Sequence, residues 1–243
     1  MAFIKRDERL PLYRQVREEI LEKISQGAWL PDSAIPTEAE LTKQYGVAIG
    51  TIRKAVDTLV NDGLLYRSQG RGTFVRRPDF NTSLFRFFRQ QPADGSFIVP
   101  ESLILLKALQ MPPEEASIAL NLQANQLAIH LKRLRFLKGV VVLTEDIWLP
   151  EMLFANLVDI DSNEIGSLLY PFYEKHCGLL VASATETLTI ECADADTASA
   201  LKIDTGYPVA VIERLALGFD KTPIEYRVSR GSADTFRYQV EIN

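Results

Sequence analysis

Cysteine is scarce: the 243-residue chain holds only Cys177 and Cys192, and neither sits in a Cys/His spacing of the kind that binds a structural metal. A disulfide framework and a zinc site are therefore not expected. The two histidines, His130 and His176, are too far apart in sequence to suggest a metal pair, and no metal or other cofactor is expected. Long apolar runs are missing as well. Val140-Val141-Val142-Leu143 falls far short of the roughly 20 apolar residues that a membrane-spanning helix needs. The start Met-Ala-Phe-Ile-Lys-Arg-Asp lacks the apolar segment of a signal peptide. These absences point to a cytoplasmic protein with no membrane partner.

Positive charge is also in deficit, with 27 Lys and Arg against 32 Asp and Glu and a net charge of -5. Spread evenly, that balance would argue weakly against a nucleic-acid partner. It is not even. Residues 1–77 carry 13 basic and 10 acidic side chains, a balance of +3, and the remainder carries -8. What is plentiful is core-forming material: 47% of residues are apolar and 24% charged, the proportions of a folded globular chain. The length suits two domains.

The first third reads as three helices and a hairpin. From Pro11 to Gln26 apolar residues recur at Leu12, Val16, Ile20 and Ile24, one stripe on a helix that Gly27 ends. Thr37 and Glu40 have the spacing of a capping box and open a short helix running to Tyr45, before Gly46. A third helix is expected from Ile49 to Asp62, with Ile52, Ala55, Val56 and Leu59 inward and Gly63 just past its end. The period then becomes two. Leu64–Arg67 and Thr73–Arg76 are expected as short strands around the glycine-rich tip from Ser68 to Gly72. This order describes a winged helix-turn-helix, whose third helix enters a major groove. Thr51, Arg53, Lys54 and Asp57 lie off its apolar stripe, and Arg53 has the reach to contact guanine or a phosphate. The alternative is the solvated face of a three-helix bundle. The tip Gly70-Arg71-Gly72-Thr73 favours DNA, because it lets backbone approach a sugar-phosphate ridge with an arginine beside it.

Four tracts, Pro11-Leu12-Tyr13-x-Gln15, Pro36-Thr37-Glu38-x-Glu40-Leu41, Thr51-Ile52-Arg53-Lys54-Ala55 and Gly70-Arg71-Gly72-Thr73-Phe74-Val75, together resemble the amino-terminal domain of GntR-family bacterial transcription regulators. The resemblance implies DNA contacts at Thr51, Arg53, Arg71 and Gly72. Thr37, Glu38, Lys54 and Thr73, from the same tracts, complete the expected set. One departure stands out. The family usually has Ser-Arg where this chain has Ala48-Ile49, so a cap and a base-reading arginine are both missing. One bidentate arginine is worth about 1–3 kcal/mol of discrimination at a base pair. An isoleucine exposed at that place either touches a thymine methyl or packs on the preceding helix.

Residues 78–84 lack periodicity and are expected to link a DNA-binding domain at 1–77 to a second domain at 85–243. There, strand-like runs at 98–109, 126–137, 140–148, 179–190, 207–217, 223–230 and 236–242 alternate with short helical segments near 113–120, 151–155, 166–177 and 195–201. The pattern is α+β with a mainly antiparallel sheet. Sliding the chain by 81 residues superposes Leu120-x-Leu122 on Leu201-x-Ile203, Asn125 on Gly206, and Arg133-Leu134 on Arg214-Leu215; after a one-residue gap Glu145 falls on Glu225. Such a repeat predicts a sheet with a pseudo-twofold. This arrangement, the tract Thr144-Glu145-Asp146-Ile147-Trp148-Leu149-Pro150 and the stretch from Pro223-Ile224-Glu225 to Asp234-x-Phe236-x-Tyr238 resemble the UTRA ligand-sensing domain of the HutC branch of GntR regulators. That domain shares its fold with chorismate lyase.

Candidate effector contacts come from charges in apolar surroundings. Arg133 and Arg135 continue the strand face of Leu127, Ile129 and Leu131, and burying them unpaired would be costly. A bound anion, or Glu145 on the next strand, would relieve that cost. A strict two-residue turn at Lys138-Gly139 would place Glu145 opposite Lys132 and on the other face, whereas a bulge would bring it round. Glu186 interrupts the apolar row of Leu180, Ala182, Ala184, Leu188 and Ile190 and suits either an arginine or a ligand donor. Ser167, after Gly166, either caps a helix or offers donors to an anion. Arg86 and Arg89 fall in Phe85-Arg86-Phe87-Phe88-Arg89, where the resemblance places closure over an effector, or where aromatics merely staple the linker. The resemblance implies effector contacts at Arg133 and Arg135, with an ion-pair ladder at the sheet rim as the alternative; Arg86, Arg89, Glu145, Ser167, Glu186 and Glu225 complete the expected set. Gly231-Ser232 stands where sugar-phosphate-binding UTRA members tend to carry Tyr-Arg.

The expected function is a homodimeric transcription regulator of the repressor kind. It would bind palindromic half-sites of a double-stranded operator under the control of a small anionic metabolite. Two alternatives stay open: a lyase-like enzyme fused to a winged helix, with Arg133 as binder and Glu145 as general acid, or a second domain that only dimerises.

Overall fold

The four-residue apolar step closes into helix α1 (Leu12–Ser25), with Val16, Ile20 and Ile24 fully buried, in a computed structural model that describes residues 10–77, 100–234 and 236. The linker expected at 78–84, with Arg86 and Arg89, lies outside the described residues, as does the strand expected at 236–242 apart from Phe236. The chain divides into two units. In the first, α2 (Glu38–Tyr45) opens on the capping box: the Glu40 amide donates to Thr37 Oγ1 at 3.3 Å and the Thr37 amide donates to the Glu40 carboxylate at 2.8 Å. It stops at Gly46, whose φ of 66° is the left-handed value that glycine adopts without strain. Helix α3 (Ile49–Asn61) buries Ile52, Ala55, Val56 and Leu59.

Strands β1 (Leu65–Ser68) and β2 (Gly72–Val75) form an antiparallel wing, Leu65 opposite Val75 and Ser68 opposite Gly72. Its tip needs Gly72, at φ 118°. Ala34 adds a bridge to Phe74 that the sequence pattern does not announce. Thr37→Ala is expected to cost about 1 kcal/mol through loss of the cap, read as a lowered melting temperature.

The second unit is one antiparallel sheet of six strands in the order β3-β4-β5-β8-β7-β6. The strands are β3 (Glu101–Gln110), β4 (Ala128–Leu137), β5 (Val140–Pro150), β6 (Ser183–Cys192), β7 (Pro208–Leu217) and β8 (Pro223–Ser232). The order reads the same outward from the central β5/β8 pair, as the repeat predicts. The backbone repeats too. Asn121 and Lys202, 81 residues apart, have φ of 53° and 58°, and Asn125 and Gly206 have 67° and 83°, each pair closing a short helix and launching a strand. Those helices, α4 (Glu114–Ala119) and α7 (Ala195–Leu201), pack on one face of the sheet over Ala128, Trp148 and Tyr226 and over Val209 and Val211 respectively.

The other face is covered by α5 (Glu151–Phe154), two short 3-10 turns and α6 (Leu169–Cys177). Phe154, Leu157, Phe172 and Tyr173 meet Ile129, Leu131, Ile147 and Leu149 there. Helix α6 starts at Leu169 with no side-chain cap. The helix expected from 166 is therefore three residues shorter, and Ser167 is not its cap. In the hairpin β4–β5 the register shifts between Arg135 and Phe136, which places Glu145 directly opposite Arg133. That irregularity supplies the extra residue that a strict turn lacks.

Candidate functional site

On the first unit, the exposed flank of α3 and the wing carry the expected DNA contacts. The Arg53 side chain is 58% exposed, and its Nε donates to Glu38 at 3.0 Å. The same carboxylate accepts from Arg67 Nη2 at 3.1 Å, and Arg67 also reaches Asp57 at 2.8 Å. Glu38 is thus the hub of a four-member surface network that orients Arg53. Lys54 rests its ammonium 4.2 Å from the Tyr13 ring centre, and Arg71 lies over Phe74 at 5.6 Å. Gly72 and Arg71 are exposed, Thr51 and Thr73 partly so. The Thr37 hydroxyl is engaged by its own helix cap. Arg67 is absent from the expected set because its link to Glu38 spans 29 residues, a distance over which no spacing rule operates.

On the second unit, four arginines and three glutamates meet on the sheet face beneath α6. Arg133 pairs with Glu145, which also accepts from Arg227 Nη1 at 3.4 Å and Ser229 Oγ at 3.2 Å. Arg227 Nη2 donates to Glu225 at 2.7 Å, and Glu225 takes further hydrogen bonds from Tyr173 at 2.7 Å and Tyr170 at 3.2 Å. Arg214 closes the row, bound to Glu186 and donating to the Tyr170 hydroxyl at 3.3 Å. Of the two readings of Glu186, it is the arginine that it meets. The row is not a rim feature. Arg133, Arg135, Arg227, Glu145 and Glu225 are each at most 3% exposed, because the helical cover seals this face.

Arg227 also has an unpartnered Nε, but Arg135 alone of the four has no paired carboxylate among the described residues. It is fully buried, and its Nη1 donates to the Ser167 carbonyl, but Nε and Nη2 have no hydrogen-bond partner. The Ser102 and Ser167 hydroxyls, 3.5 Å apart, lie on the elements beside it. Burial, with Arg133 alongside, draws the Arg135 pKa down to about 10 despite Glu145: it is a charge short of partners. Glu145 is the reverse case. Burial pushes its carboxyl up, but Arg133, Arg227 and Arg135 outweigh that and hold it at about 2. Burial and Glu225 raise the Tyr173 hydroxyl well above its usual range, keeping it a donor. Among the described residues, four guanidinium groups face three carboxylates, so the cluster keeps one uncompensated positive charge.

Sequence reasoning misses Arg227, Tyr170, Tyr173 and Ser229. Arg227 and Ser229 alternate with Glu225 along β8, so a period-two reading from Glu225 finds them; the tyrosines show only as a three-residue step on a helix. His130 is on the opposite face, stacked on Trp148 at 4.1 Å and hydrogen-bonded to Asp146 at 2.8 Å. His176 stacks on Phe172.

Comparison with known proteins accounts for both units. Residues 98–237 match the UTRA domain, and residues 12–75 match the family described as bacterial regulatory proteins, gntR family. The chain belongs to the GntR family. It is 28% identical over 244 aligned residues to the HTH-type transcriptional repressor NagR of Bacillus subtilis strain 168, covering 98% of each chain. It is 31% identical to the Escherichia coli K12 protein named "Probable fructoselysine utilization operon transcriptional repressor", over 88% of this chain and 87% of that one. Among solved structures, the possible transcriptional regulator YydK of Bacillus subtilis shares the fold with a TM-score of 0.56 at 18% identity, covering 94% of this chain and 99% of that one. These GntR relatives are transcription regulators, which decides against the lyase reading: this GntR protein is a regulator with a UTRA domain, not an enzyme. Among its described residues no helix is long and apolar enough to cross a membrane.

Proposed function

We propose that this GntR protein is a cytoplasmic, homodimeric repressor of HutC type whose operator affinity is set by a small anionic metabolite held at Arg135. The carrying observation is the half-satisfied guanidinium, fully buried with two of its nitrogens unpartnered. A buried donor left without an acceptor costs about 1–3 kcal/mol, more when charged, so the folded protein keeps an energetic demand that a carboxylate or phosphate oxygen meets. Ser102 and Ser167 supply hydroxyl donors beside it. Arg133 and Glu145, by contrast, are already matched to each other and act as the frame. The homodimer follows from recognition, since one α3 reads only a half-site. It is supported by the outer side of strand β3, which has no strand partner among the described residues and where Leu103 and Leu105 are each 51% exposed.

The test is a thermal-shift screen of the full chain against carboxylates, amino-acid degradation intermediates and phosphosugars, with fructoselysine included because it appears in a relative's name. A binding anion is expected to raise the melting temperature and release operator DNA. Arg135→Ala should weaken that anion by roughly one to two decades, the worth of a charged hydrogen bond or two, while its own melting temperature holds or rises, since it loses an unmatched buried charge. A panel without a single shift would favour a second domain that only dimerises, and an Arg135→Ala protein that still responds fully would remove Arg135 from the effector site.

A further inference from the structure

Ile49 is the first residue of α3 and is 48% exposed. The helix core is complete without it, since Ile52, Ala55, Val56 and Leu59 fill the inward stripe. About half of the Ile49 surface stays open to solvent, so a branched apolar flank is left free whatever the rest of the side chain packs on. With four residues spanning just over one turn, Ile49, Arg53 and Asp57 run up one flank, and Gly50 beside Ile49 is exposed and bears no side chain. Ala48 makes no side-chain cap, so nothing polar projects ahead of Ile49. The leading turn thus presents a branched apolar side chain next to a bare stretch of backbone, on the flank that carries Arg53.

Within a major groove the base edges offer hydrogen-bonding groups and one apolar feature, the C5 methyl of thymine. We infer that Ile49 reads thymine by packing on that methyl, and that Gly50 lets the backbone come close enough for the contact. The inference rests on α3 being the groove-entering helix. Four residues of helix advance about 6 Å, so the thymine lies one or two base pairs from the position that Arg53 reaches.

Operator sequences selected in vitro with the full chain identify that position, and duplexes carrying uracil in place of thymine there remove only the methyl. Wild-type protein is expected to bind the uracil duplex roughly threefold to fourfold less tightly per half-site, about tenfold for both, the worth of one buried methyl each. Ile49→Ala should bind the two duplexes equally, and Ile49→Arg should shift the selected base toward guanine. Equal binding of both duplexes by wild-type protein, or discrimination that survives Ile49→Ala, overturns the role of Ile49. If Arg53→Ala also leaves operator affinity unchanged, α3 is not in the groove, and the reading of the DNA interface falls with it.

Discussion

Glu145→Ala is expected to remove roughly 3–5 kcal/mol of stability, because deleting one member of a buried ion pair leaves its partners charged and unmatched. Arg133 and Arg227 both depend on this carboxylate, which is fully buried and also accepts from Ser229. The second domain should lose its cooperative unfolding transition or shift it to much lower temperature, and Glu145→Gln should fall between, keeping an acceptor without the charge. Acid acts on the same group. With a folded pKa of about 2 against an ordinary value of 4.5, its contribution is complete above pH 4.5 and disappears as pH falls toward 2. The difference is on the order of 3 kcal/mol. Unfolding of the wild type in urea at pH 6 and pH 3 measures this loss, and a Glu145→Gln protein should show a flatter acid limb. Equal melting temperatures for Glu145→Ala and wild type would mean that the cluster does not hold the sheet together.

Operator affinity is expected to fall about 10³-fold between 50 and 200 mM salt, the behaviour of a protein neutralising six or more phosphates. The proposed donors are Arg71 and the neighbouring cations of the +3 first domain. Arg53→Ala should weaken specific binding by about 1–3 kcal/mol and relax one operator position, with little change in the salt slope, because a base contact releases no counterion. Arg71→Ala should lower the slope by about one unit and weaken all sequences alike. Gel shifts at three salt concentrations separate these outcomes. Unchanged operator affinity for Arg53→Ala at moderate salt would remove α3 from the groove.

The first unit was legible because its signals are local. A four-residue apolar step, a capping box four residues long and glycines at positive φ each specify their element without help from the rest of the chain. The strands of the second unit were legible for the same reason, and the 81-residue repeat added the pseudo-twofold of the sheet, though not its strand order. What stayed hidden was decided at a distance. Whether Glu145 faces Arg133 turns on one residue of register at the Arg135/Phe136 irregularity, and a single-residue slip moves every later side chain to the other face. Ser167 looked like a cap because Gly166-Ser167 precedes a helical pattern; its carbonyl instead meets Arg133 at 3.5 Å and Arg135, a contact that exists only once the cover lies on the sheet. In the sequence, ion-pair ladder and ligand site are alternatives that apply to Arg133 and Arg135 alike. Both are buried, and their partners distinguish them, since Arg133 has its carboxylate and Arg135 has spare donors.

Glu38 places a negative charge in the middle of the surface proposed to meet DNA, flanked by Arg53 and Arg67. If Arg53 turns to a base edge as proposed, Arg67 is left to serve both Glu38 and Asp57, so the base contact must outweigh the loss of one ion pair. A duplex lying across the same surface out of register leaves Arg53 on Glu38 and brings phosphate against a site whose charge is already cancelled. On that proposal the network withholds Arg53 from arbitrary sequence, which offers no matching base edge to draw it away. For a regulator that must find one site among about 10⁶–10⁹ competitors, that asymmetry shortens each fruitless residence on the genome.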